Sequence, residues 1–594
     1  MTTPPPADHL APDTLDTAQR HLVAKAIAEF SHERLIAPEP FDGGWRLVPP
    51  RGDAEYRFTA VRTELEHWII DEAGLRRIIG GHDAALDAQA LILELQPALG
   101  LSDGLLPLYL EEIASTLAGA MFKIAEKGPT ANALASADFQ TIESAMTEGH
   151  PGFVANNGRI GFGIVDHAAY APESGRPFRL LWVAARRSAS HLALGAGLDE
   201  ETLLAGELSD LEHERFDSRL RDLGEDPSEF HLLPVHPWQW ENRVTITFAP
   251  DLARRDLVLV GESVDEYRAQ QSVRTMYNIT NPHRHYVKTA LAVQNMGFLR
   301  GLSPAYMRVT PAINDWVADL VARDDTLRAS GFRVLRERAS IGYTGDAYHR
   351  TTEPSAHRKM LAALWRESPT PLVSGTQHLA TMAALLHRDS DGAALVTALI
   401  RASGIPATEW VRAYLDAYLR PVVHCLLAHD LAFMPHGENV ILVLDGHVPT
   451  GAFMKDIGEE IAILAERSVP DEVRRTLSPV DDAEKALAVF TDVFDGVLRH
   501  LAGILHVDGT LPETEFWRLV AETVDAHAAD HPDLDSSVDL RADTFAHSCL
   551  NRLQLRNTLR MVDLADQSAS LMYAGTLRNP AGRSAFAPLL GVGS

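Results

Sequence analysis

The chain has 594 residues, and its 81 acidic side chains outnumber its 54 basic ones, which gives a formal net charge of −27. This charge argues against a general nucleic-acid binder, because such a protein needs a basic face that neutralises phosphates. A hydrophobic fraction of 46% is typical of a globular protein, and two cysteines, Cys425 and Cys549, are too few to staple a secreted scaffold of this size.

The N-terminal segment shows no pattern of a targeting signal. Residues 1–13 are rich in proline and lack the basic segment and apolar core that mark a secretory signal. No apolar run approaches the roughly 18 residues that would suggest a membrane span. We therefore expect a cytoplasmic protein that associates with neither a membrane nor nucleic acid.

Hydrophobic periodicity predicts helices and short strands in the first third of the chain. The alternating segments near residues 45, 56 and 66 favour a small meander. The predicted elements are helices at 15–35, 84–98, 105–126 and 132–147, and strands at 45–48, 56–61, 66–70, 159–165 and 178–185.

The rest of the chain mixes strands with longer helical stretches, and we find neither an internal repeat nor an obvious linker. The predicted elements are a polar helix at 199–223, strands at 230–235, 272–279 and 286–291, a mainly helical region at 311–430 with possible strands near 331–343, a hairpin at 436–456, and helices from there to about 575.

The hairpin is the sharpest local signal. Asp445-Gly446 lies between two apolar runs, which is typical of a two-residue type I′ turn. With this turn, residue 436 would face residue 455, although a bulge at Pro449 or Gly451 would shift the register by one. In either register the open end of the hairpin gathers several polar side chains, namely His436, Glu438, Asn439, Lys455 and Asp456.

These polar residue types suit a particular ligand. Carboxylate and amide oxygens beside a lysine are suited to Mg²⁺ together with a polyphosphate. The alternative interpretation is an ordinary solvated strand end, which this segment alone does not exclude.

A second cluster is basic. The strands predicted at 272–279 and 286–291 could pair around Asn281-Pro282 and bring cations together. Two arginines, one lysine and two hydroxyls within 29 residues of an acidic chain favour an anion site, and a strand surface with salt bridges is the alternative. The residues concerned are Ser272, Arg274, Thr275, Lys288 and Arg300.

Two further segments are chemically unusual. His236, Trp238 and Gln239 lie in a Trp-rich turn that could form a pocket wall for an amide- or amine-bearing ligand, or simply part of the core. The segment 149–159 is a polar, glycine-rich loop. Neither a phosphate-binding glycine loop nor a serine-nucleophile motif is present, and the histidines form no HExxH or similar pair, so we expect no zinc site.

Taken in this order, these motifs resemble the IucA/IucC family of NRPS-independent siderophore (NIS) synthetases. The resemblance covers about 310 residues and looks nearly full-length to one branch, the desferrioxamine synthetases of actinobacteria. The matching segments are Gly149-His-Pro with Arg159, Pro234-Val-His-Pro-Trp-Gln-Trp, Ser272-Val-Arg-Thr, Lys288, Arg300, and His436-Gly-Glu-Asn with Lys455-Asp456.

The resemblance implies an α+β fold shaped like a cupped hand, and usually a homodimer. Its domains would be a thumb at 1–175, a fingers domain at 176–390 that carries the triphosphate-binding strands, and a kinase-like palm at 391–594. It also implies an ATP-dependent ligase that converts a carboxylate into an acyl adenylate, releases diphosphate, and lets an amine displace AMP to form an amide.

The family's site residues carry over to matching positions. Arg274, Lys288 and Arg300 would stabilise charge on the phosphoryl oxygens, while His436 and Glu438 are candidates for the base that accepts the amine proton. The implied ATP contacts are Ser272, Arg274, Thr275, Lys288, Arg300, His436, Asn439, Lys455 and Asp456. The implied Mg²⁺ ligands are Glu438, Asn439 and Asp456, and the implied substrate residues are His150, Asn156, Asn157 and Arg159, with His236, Trp238 and Gln239.

One departure bears on the substrate. Citrate-using members tend to carry a second His-Pro and a lysine in the loop after Gly-His-Pro, where this chain has Phe153-Val154 and Asn156-Asn157. The similar branch uses a succinyl-hydroxamate of a diamine, such as N-hydroxy-N-succinylcadaverine, whose carboxylate and amine allow repeated condensation and cyclisation. The alternatives are a citrate-dependent family member, a phosphotransferase that uses the kinase-like hairpin, and a siderophore-binding protein without catalysis.

Overall fold

Helices and mostly antiparallel sheets are mixed along the chain in the computed structural model, which describes residues 7–353, 355–534, 537–556 and 572–586. The expected α+β class is confirmed. Among the described strand pairs, all are antiparallel except that of Phe332–Val334 with Val448–Met454.

The first region packs a five-stranded sheet and a hairpin against helices. The predicted single meander is wrong, because the strand predicted at 56–61 is two strands that belong to different sheets. The sheet contains Glu39–Phe41, Gly44–Leu47, Ala54–Phe58, Arg76–Ile79 and His82–Ala84; the hairpin is Ala60–Thr63 with His67–Ile70; and the helices are Pro12–His32, Ala88–Leu99, Leu106–Glu126, Ala131–Leu134 and Phe139–Ala145.

The prediction of a strand at 159–165 is wrong. Its alternating apolar residues are interrupted by Gly161, whose φ is +115°, and a helix then begins at Ile164 and ends at Tyr170. Asp166 starts this helix by accepting a hydrogen bond from the Gly163 amide at 2.9 Å. Only Ile160 keeps a strand-like bridge, to Gln294.

The central region is built on a six-stranded antiparallel sheet beside a three-stranded one. The long helix predicted at 199–223 is two helices, because Ser209 and Glu212 form a capping box that starts a new one. In sheet order, the larger sheet contains Tyr267–Ala269, Thr275–Asn278, Tyr286–Thr289, Ala362–Arg366, Glu337–Tyr343 and Ser190–Leu194; the smaller contains Phe230–Val235, Leu181–Arg186 and Leu257–Glu262; and the helices are Glu200–Glu207, Asp210–Asp222, Ala249–Ala253 and Pro304–Met307.

The region predicted as mainly helical at 311–430 contains more strand than expected. The possible strands near 331–343 are present, but two further strands at 362–381 had no clear local signal. The helices are Thr310–Arg323, Asp325–Ala329, Leu395–Ser403, Ala407–Ala417 and Leu419–His429, and the strands are Phe332–Val334, Glu337–Tyr343, Ala362–Arg366 and Gln377–Thr381.

The C-terminal region carries the hairpin on a four-stranded sheet, followed by helices. Two late strands contradict the prediction of helices alone up to residue 575, and residues 557–571 lie outside the described part. The elements are strands Leu431–Phe433, Val440–Asp445, Val448–Met454, Ile461–Ile463, Thr544–Ser548 and Tyr573–Arg578, helices Asp482–Val489, Arg499–Val507, Glu513–Asp530 and Leu550–Arg556, and a π-helix Phe490–Leu498.

Three large apolar cores hold these regions together. One lies in the N-terminal region, one under the central sheets, and one in the C-terminal region. The C-terminal core also contains residues from 131–146 and 313–334, which lie in the predicted thumb and fingers domains. The predicted domain boundaries at 175 and 390 therefore remain predictions. None of the described helices combines the length and the apolar character that crossing a membrane requires.

Candidate active site

The hairpin has a different register from the one predicted. Its turn residues are Gly446 and His447, both with positive φ, so that Asp445 faces Val448. The expected bulge is present between Pro449 and Gly451 and shifts the register again.

The consequence appears at the open end of the hairpin. The Lys455 amide donates to the Asn439 carbonyl at 3.0 Å, so residue 455 lies opposite residue 439 and not opposite His436. Asp456 follows with a positive φ of 63°. Asn439, Lys455 and Asp456 are therefore neighbours, as the motif predicted, although through a different pairing.

The basic cluster meets this end of the hairpin. The two strands pair, as predicted, and in the observed register Thr275 faces Lys288. Lys288 is only 2% exposed, and its ammonium pairs with Asp456 and with Glu459 Oε2 at 3.0 Å. Arg274 reaches the same Glu459 oxygen at 3.4 Å. Two sequence clusters about 170 residues apart thus form one charged centre.

A third cation joins the centre without having been predicted. Arg366 ends the strand Ala362–Arg366, and its Nη2 lies 2.6 Å from Asp456 Oδ1 and 2.9 Å from Glu337 Oε1. Arg366, Glu337 and Glu459 were not predicted as site residues from the sequence. The acid at 459 lies three residues beyond the Lys455-Asp456 motif, which is the only local signal for any of them.

The charges of this centre stabilise one another. Burial alone would raise the pKa of Asp456, but Arg366 and Lys288 hold it well below its usual range. Burial would lower the pKa of Lys288, but Asp456 and Glu459 raise it instead. Both groups are therefore charged at neutral pH, and the site presents fixed charges with little reorganisation.

The turn before Thr275 supplies hydroxyls. Ser272 Oγ and Thr275 Oγ1 are buried and have no hydrogen-bond partner in the described part of the chain. Val273 between them has a φ of +67°, which is strained for a β-branched residue and is often seen at functional sites. A buried hydroxyl without a partner costs roughly 1–3 kcal/mol, so the turn fits a ligand that accepts hydrogen bonds.

Glu143 fixes this turn from the neighbouring helix. Its carboxylate accepts from the Gln271 amide at 2.9 Å, and its carbonyl accepts from Gln271 Nε2 at 2.8 Å. Glu143 was not a predicted site residue, because its role depends on the approach of helix Phe139–Ala145 to the turn.

Arg300 extends the positive region towards the loop at 149–159. Its Nη2 donates to Asn295 Oδ1 at 2.5 Å, while its Nε is buried without a partner among the described residues. Burial and repulsion from Arg274 lower the pKa of Arg300 to about 10, and Arg159 adds to the effect. An anion bound here would relieve this repulsion.

His436 links the hairpin to the same loop. Its ring lies 5.7 Å from that of His150, and its Nε2 is 3.9 Å from Glu460. Burial is the largest cause that lowers the pKa of His150 to about 3, so His150 is neutral in the fold. The predicted substrate loop and the predicted nucleotide hairpin are therefore in contact.

The hairpin end offers oxygen donors of the type that Mg²⁺ prefers. Asn439 Nδ2 donates to the Met434 carbonyl at 3.0 Å and to Glu460, and no described contact uses its Oδ1. Amide and carboxylate oxygens from Asn439, Glu438 and Asp456 are the hard ligands that Mg²⁺ prefers. Glu460, which was not predicted, holds the Asn439 side chain in place.

The other predicted loop residues brace the loop. Asn156, Asn157 and Arg159 are buried. Asn156 Nδ2 donates to Glu148 Oε2 at 3.0 Å, Asn157 Nδ2 donates to a backbone carbonyl at 3.1 Å, and Arg159 pairs with a buried glutamate at 3.4 Å. Arg159 Nε has no partner among the described residues, which leaves one donor for a ligand.

His236, Trp238 and Gln239, which stay predicted substrate residues, lie deep in the fold. They are 0%, 2% and 1% exposed, respectively. His236 Nδ1 accepts from the Trp238 amide at 3.1 Å, and Gln239 bridges the Ala292 amide and the Met360 carbonyl at 2.8 Å each. The Gln239 amide thus serves the core, whereas His236 Nε2 and Trp238 Nε1 are buried without a hydrogen-bond partner among the described residues.

Comparison with known proteins identifies the family. The IucA / IucC family model matches residues 138–387, and a model described as ferric iron reductase FhuF-like transporter matches residues 408–564. A putrebactin synthase from Shewanella sp. (strain MR-4) is 46% identical, with 96% of this chain and 92% of that protein covered. The chain belongs to the IucA/IucC family of NIS synthetases.

Solved structures agree with this membership. The aerobactin synthetase IucC from a hypervirulent pathotype of Klebsiella pneumoniae superposes with a TM-score of 0.83 at 28% identity, covering 96% of this chain and 98% of that one. The ATP-bound aerobactin synthetase IucA from the same source gives a TM-score of 0.72 at 16% identity over 95% and 99% of the two chains, which shows a shared fold. The expected NIS synthetase architecture is confirmed.

Proposed function

We propose that this family member is an ATP-dependent siderophore synthetase that activates a carboxylate as an acyl adenylate and joins it to a primary amine. The convergence of Arg274 and Lys288 with the hairpin acids at Asp456 and Glu459 is the observation that carries this proposal. The unpartnered hydroxyls of Ser272 and Thr275 beside it are suited to phosphate oxygens. The family's ATP-bound member supports the choice of nucleotide.

The first step forms the adenylate. A carboxylate oxygen attacks the α-phosphorus of ATP, the bond to the bridging oxygen breaks, and diphosphate leaves. Arg274, Lys288 and Arg300 supply positive charge where the phosphoryl oxygens gain negative charge. Mg²⁺, when bound by Glu438, Asn439 and Asp456, would add charge neutralisation at the phosphates.

The second step forms the amide. The amine nitrogen attacks the activated carbonyl carbon, the bond to the AMP oxygen breaks, and the amine loses one proton. His436 and Glu438 are the candidates to accept this proton. His436 Nδ1 is buried and has no partner among the described residues, which favours the histidine.

The substrate we propose is a succinyl-hydroxamate of a diamine, of the N-hydroxy-N-succinylcadaverine type. Phe153, Val154, Asn156 and Asn157 are all buried, and they place no cation where citrate-using relatives tend to carry one. A substrate with one carboxylate needs less positive charge than citrate. Repeated condensation and a final cyclisation would give a desferrioxamine-like hydroxamate siderophore.

Nucleotide analysis tests the proposal. The enzyme is incubated with ATP, Mg²⁺ and either N-hydroxy-N-succinylcadaverine, its putrescine analogue, or citrate with a free amine. We expect AMP and diphosphate with a succinyl-hydroxamate. Formation of ADP would indicate a phosphotransferase, turnover only with citrate would indicate a citrate-dependent synthetase, and siderophore binding without turnover would indicate a binding protein.

We also propose that the enzyme acts as a homodimer in the cytoplasm, as its family resemblance implies. Light scattering after size exclusion should give twice the 65.1 kDa of one chain. A mass of one chain at micromolar concentration would contradict the dimer.

A further inference from the structure

A group of histidines lies outside the site described above. His424 is on helix Leu419–His429, while His527 is on helix Glu513–Asp530 and His531 directly follows that helix. One nitrogen from each histidine lies within 4.8 Å of those from the other two. His527 and His531 are four residues apart, so both can lie on one side of the helix end.

Asp324 orients one of these rings. Its Oδ2 accepts from Nε2 of His424 at 3.0 Å and from Nε2 of His429 at 2.9 Å. With the proton of His424 on Nε2, its Nδ1 carries a lone pair, and that atom lies 2.9 Å from His527 Nε2. A carboxylate behind a histidine is the usual second partner of a metal-bound imidazole.

Two of the three rings, those of His424 and His527, are neutral in the fold at neutral pH. Burial lowers the pKa of His424 and lowers that of His527 to about 4. No lysine or arginine is hydrogen-bonded to any of the three rings in the described part of the chain. Two other histidine groups, at His67 and at His32, each contain a contact with an arginine. The Arg499 guanidinium contacts His67 Nδ1 at 2.9 Å, and it also contacts Asp495, which pairs with His32, at 2.9 Å.

The group also has access to solvent. His531 lines a cavity of about 610 Å³ together with Thr326, Arg420 and Asp530. Three histidine ligands with one open side are typical of a zinc site that keeps a position for water or a small anion. Tetrahedral Zn²⁺ needs nitrogens roughly 3.3 Å apart, so the 2.9 Å contact has to open slightly, and any of the other nitrogen distances, all within 4.8 Å, that exceeds this value has to shorten.

We propose that His424, His527 and His531 bind one divalent transition-metal ion, with Zn²⁺ as the best match, and that Asp324 positions His424. The expectation of no zinc site rested on motif spacing. That expectation overlooked the His527–His531 pair and did not foresee that His424, 103 residues away, packs against His527. The ion would tie two helices and the segment at Asp324 together.

A zinc titration of the full-length, chelator-treated protein tests the site. We expect one Zn²⁺ per chain in a competition assay with a chromophoric chelator, and a visible absorption band of tetrahedral geometry when Co²⁺ is used instead. His531→Ala should weaken Zn²⁺ binding at least about 100-fold and remove the Co²⁺ band. Asp324→Asn, which can still cap the following helix, should weaken binding roughly 10- to 100-fold.

The matched control is His506→Ala, because His506 is an exposed histidine in the same region. It should bind Zn²⁺ like the wild type. If His531→Ala fails to fold, the Zn²⁺ affinity of Asp324→Asn decides the test. A wild-type protein that binds no Zn²⁺, or variants at 531 and 324 that bind it as tightly as the wild type, would overturn the proposal.

Discussion

Lys288 is the residue at which the two sequence clusters become one site. The chain has only seven lysines against 47 arginines, so a lysine that is buried and doubly paired stands out. A compact ammonium fits between Asp456 and Glu459, whereas the wider guanidinium would need a different geometry. The site thus gathers a few fixed cations in a chain whose net charge is strongly negative.

Replacing Lys288 should therefore affect catalysis more than folding. Lys288→Arg keeps the charge but not the geometry, and Lys288→Ala removes both. Because Arg366 and Arg274 still pair with the two acids, we expect both variants to fold. We expect kcat/KM to fall by about 10²-fold or more for Lys288→Ala, the scale of losing one charge-stabilising group, and by a smaller factor for Lys288→Arg.

Diphosphate release and thermal unfolding measure this pair of effects. Lys485→Ala is the matched control, since Lys485 pairs with Asp430 and Asp482 away from the site. Full turnover in a folded Lys288→Ala protein would remove the lysine from the mechanism.

A substitution at Ser272 allows an effect on ligand binding to be distinguished from an effect on stability. Its Oγ is buried and makes no hydrogen bond with described residues, so Ser272→Ala should keep the free energy of unfolding without ATP or raise it by up to about 1–3 kcal/mol. With ATP, the loss of a hydrogen bond to a charged oxygen should raise KM roughly 10- to 100-fold. Calorimetric unfolding and initial rates give the two values, with the exposed Ser374→Ala as control. A stability loss without a change in KM would assign the hydroxyl a purely structural role.

At the scale of elements, local patterns predicted the parts that local forces decide. The strand at Phe230–Val235, the two strands that bear Thr275 and Lys288, and the hairpin all have clear alternation and turn signals. The predicted register of the hairpin was wrong because the turn lies one residue further along the chain, and a bulge then shifts the register by one more residue. At the bulge Gly451 approaches the Gly331 backbone, and in the turn the His447 carbonyl accepts from Trp410 Nε1 at 2.8 Å, so both features involve contacts with segments distant in sequence.

Other parts had no local signal. Ala362–Arg366 is an apolar stretch that fits a helix or a strand, and only its place in the middle of the six-stranded sheet decides between them. The roles of Arg366, Glu337 and Glu459 depend on contacts between segments far apart in sequence, which periodicity does not report. The family resemblance identified the motif residues but not these partners.

A substitution at Gly451 tests how the hairpin is positioned against strand Phe332–Val334. A Cβ here would lie 2.6 Å from the Gly331 carbonyl oxygen, which is backbone and cannot rotate away. Gly451→Ala should thus push the hairpin from strand Phe332–Val334, lower the free energy of unfolding by about 1–3 kcal/mol, and reduce turnover by displacing Asp456.

Denaturant unfolding and diphosphate release measure both effects. The control is Gly206→Ala, in a helix with open space around the added methyl group, which should be neutral or slightly stabilising. Equal stability of the two variants would contradict the close approach of the hairpin.

At the scale of the whole molecule, buried histidines set how stability depends on pH. Burial lowers the pKa of His236 to about 3, and burial is also the largest cause that lowers the pKa of His150 to about 3. The unfolded chain takes up protons near pH 6.5, but the folded chain does not. The stabilisation from these neutral histidines is complete above pH 6.5 and is lost as the pH falls towards 3.

His236→Asn isolates one such contribution, since asparagine can still cap the turn that follows. Between pH 7 and pH 5 the wild type should lose about 2 kcal/mol more than the variant, from the one extra proton that its unfolded state binds. Urea unfolding of both proteins at the two pH values gives the difference. The same pH dependence in both proteins would show that His236 is not held neutral.

The central claim is that the enzyme activates a carboxylate at the α-phosphorus of ATP. The most direct test uses N-hydroxy-N-succinylcadaverine labelled with ¹⁸O in its carboxylate, and mass spectrometry of the nucleotide and the amide products. We predict AMP that carries one ¹⁸O atom, one AMP for each amide bond, and oligomeric or cyclic hydroxamates. Amide products accompanied by ADP and ¹⁸O-labelled phosphate would contradict the account, because they would place the attack at the γ-phosphorus.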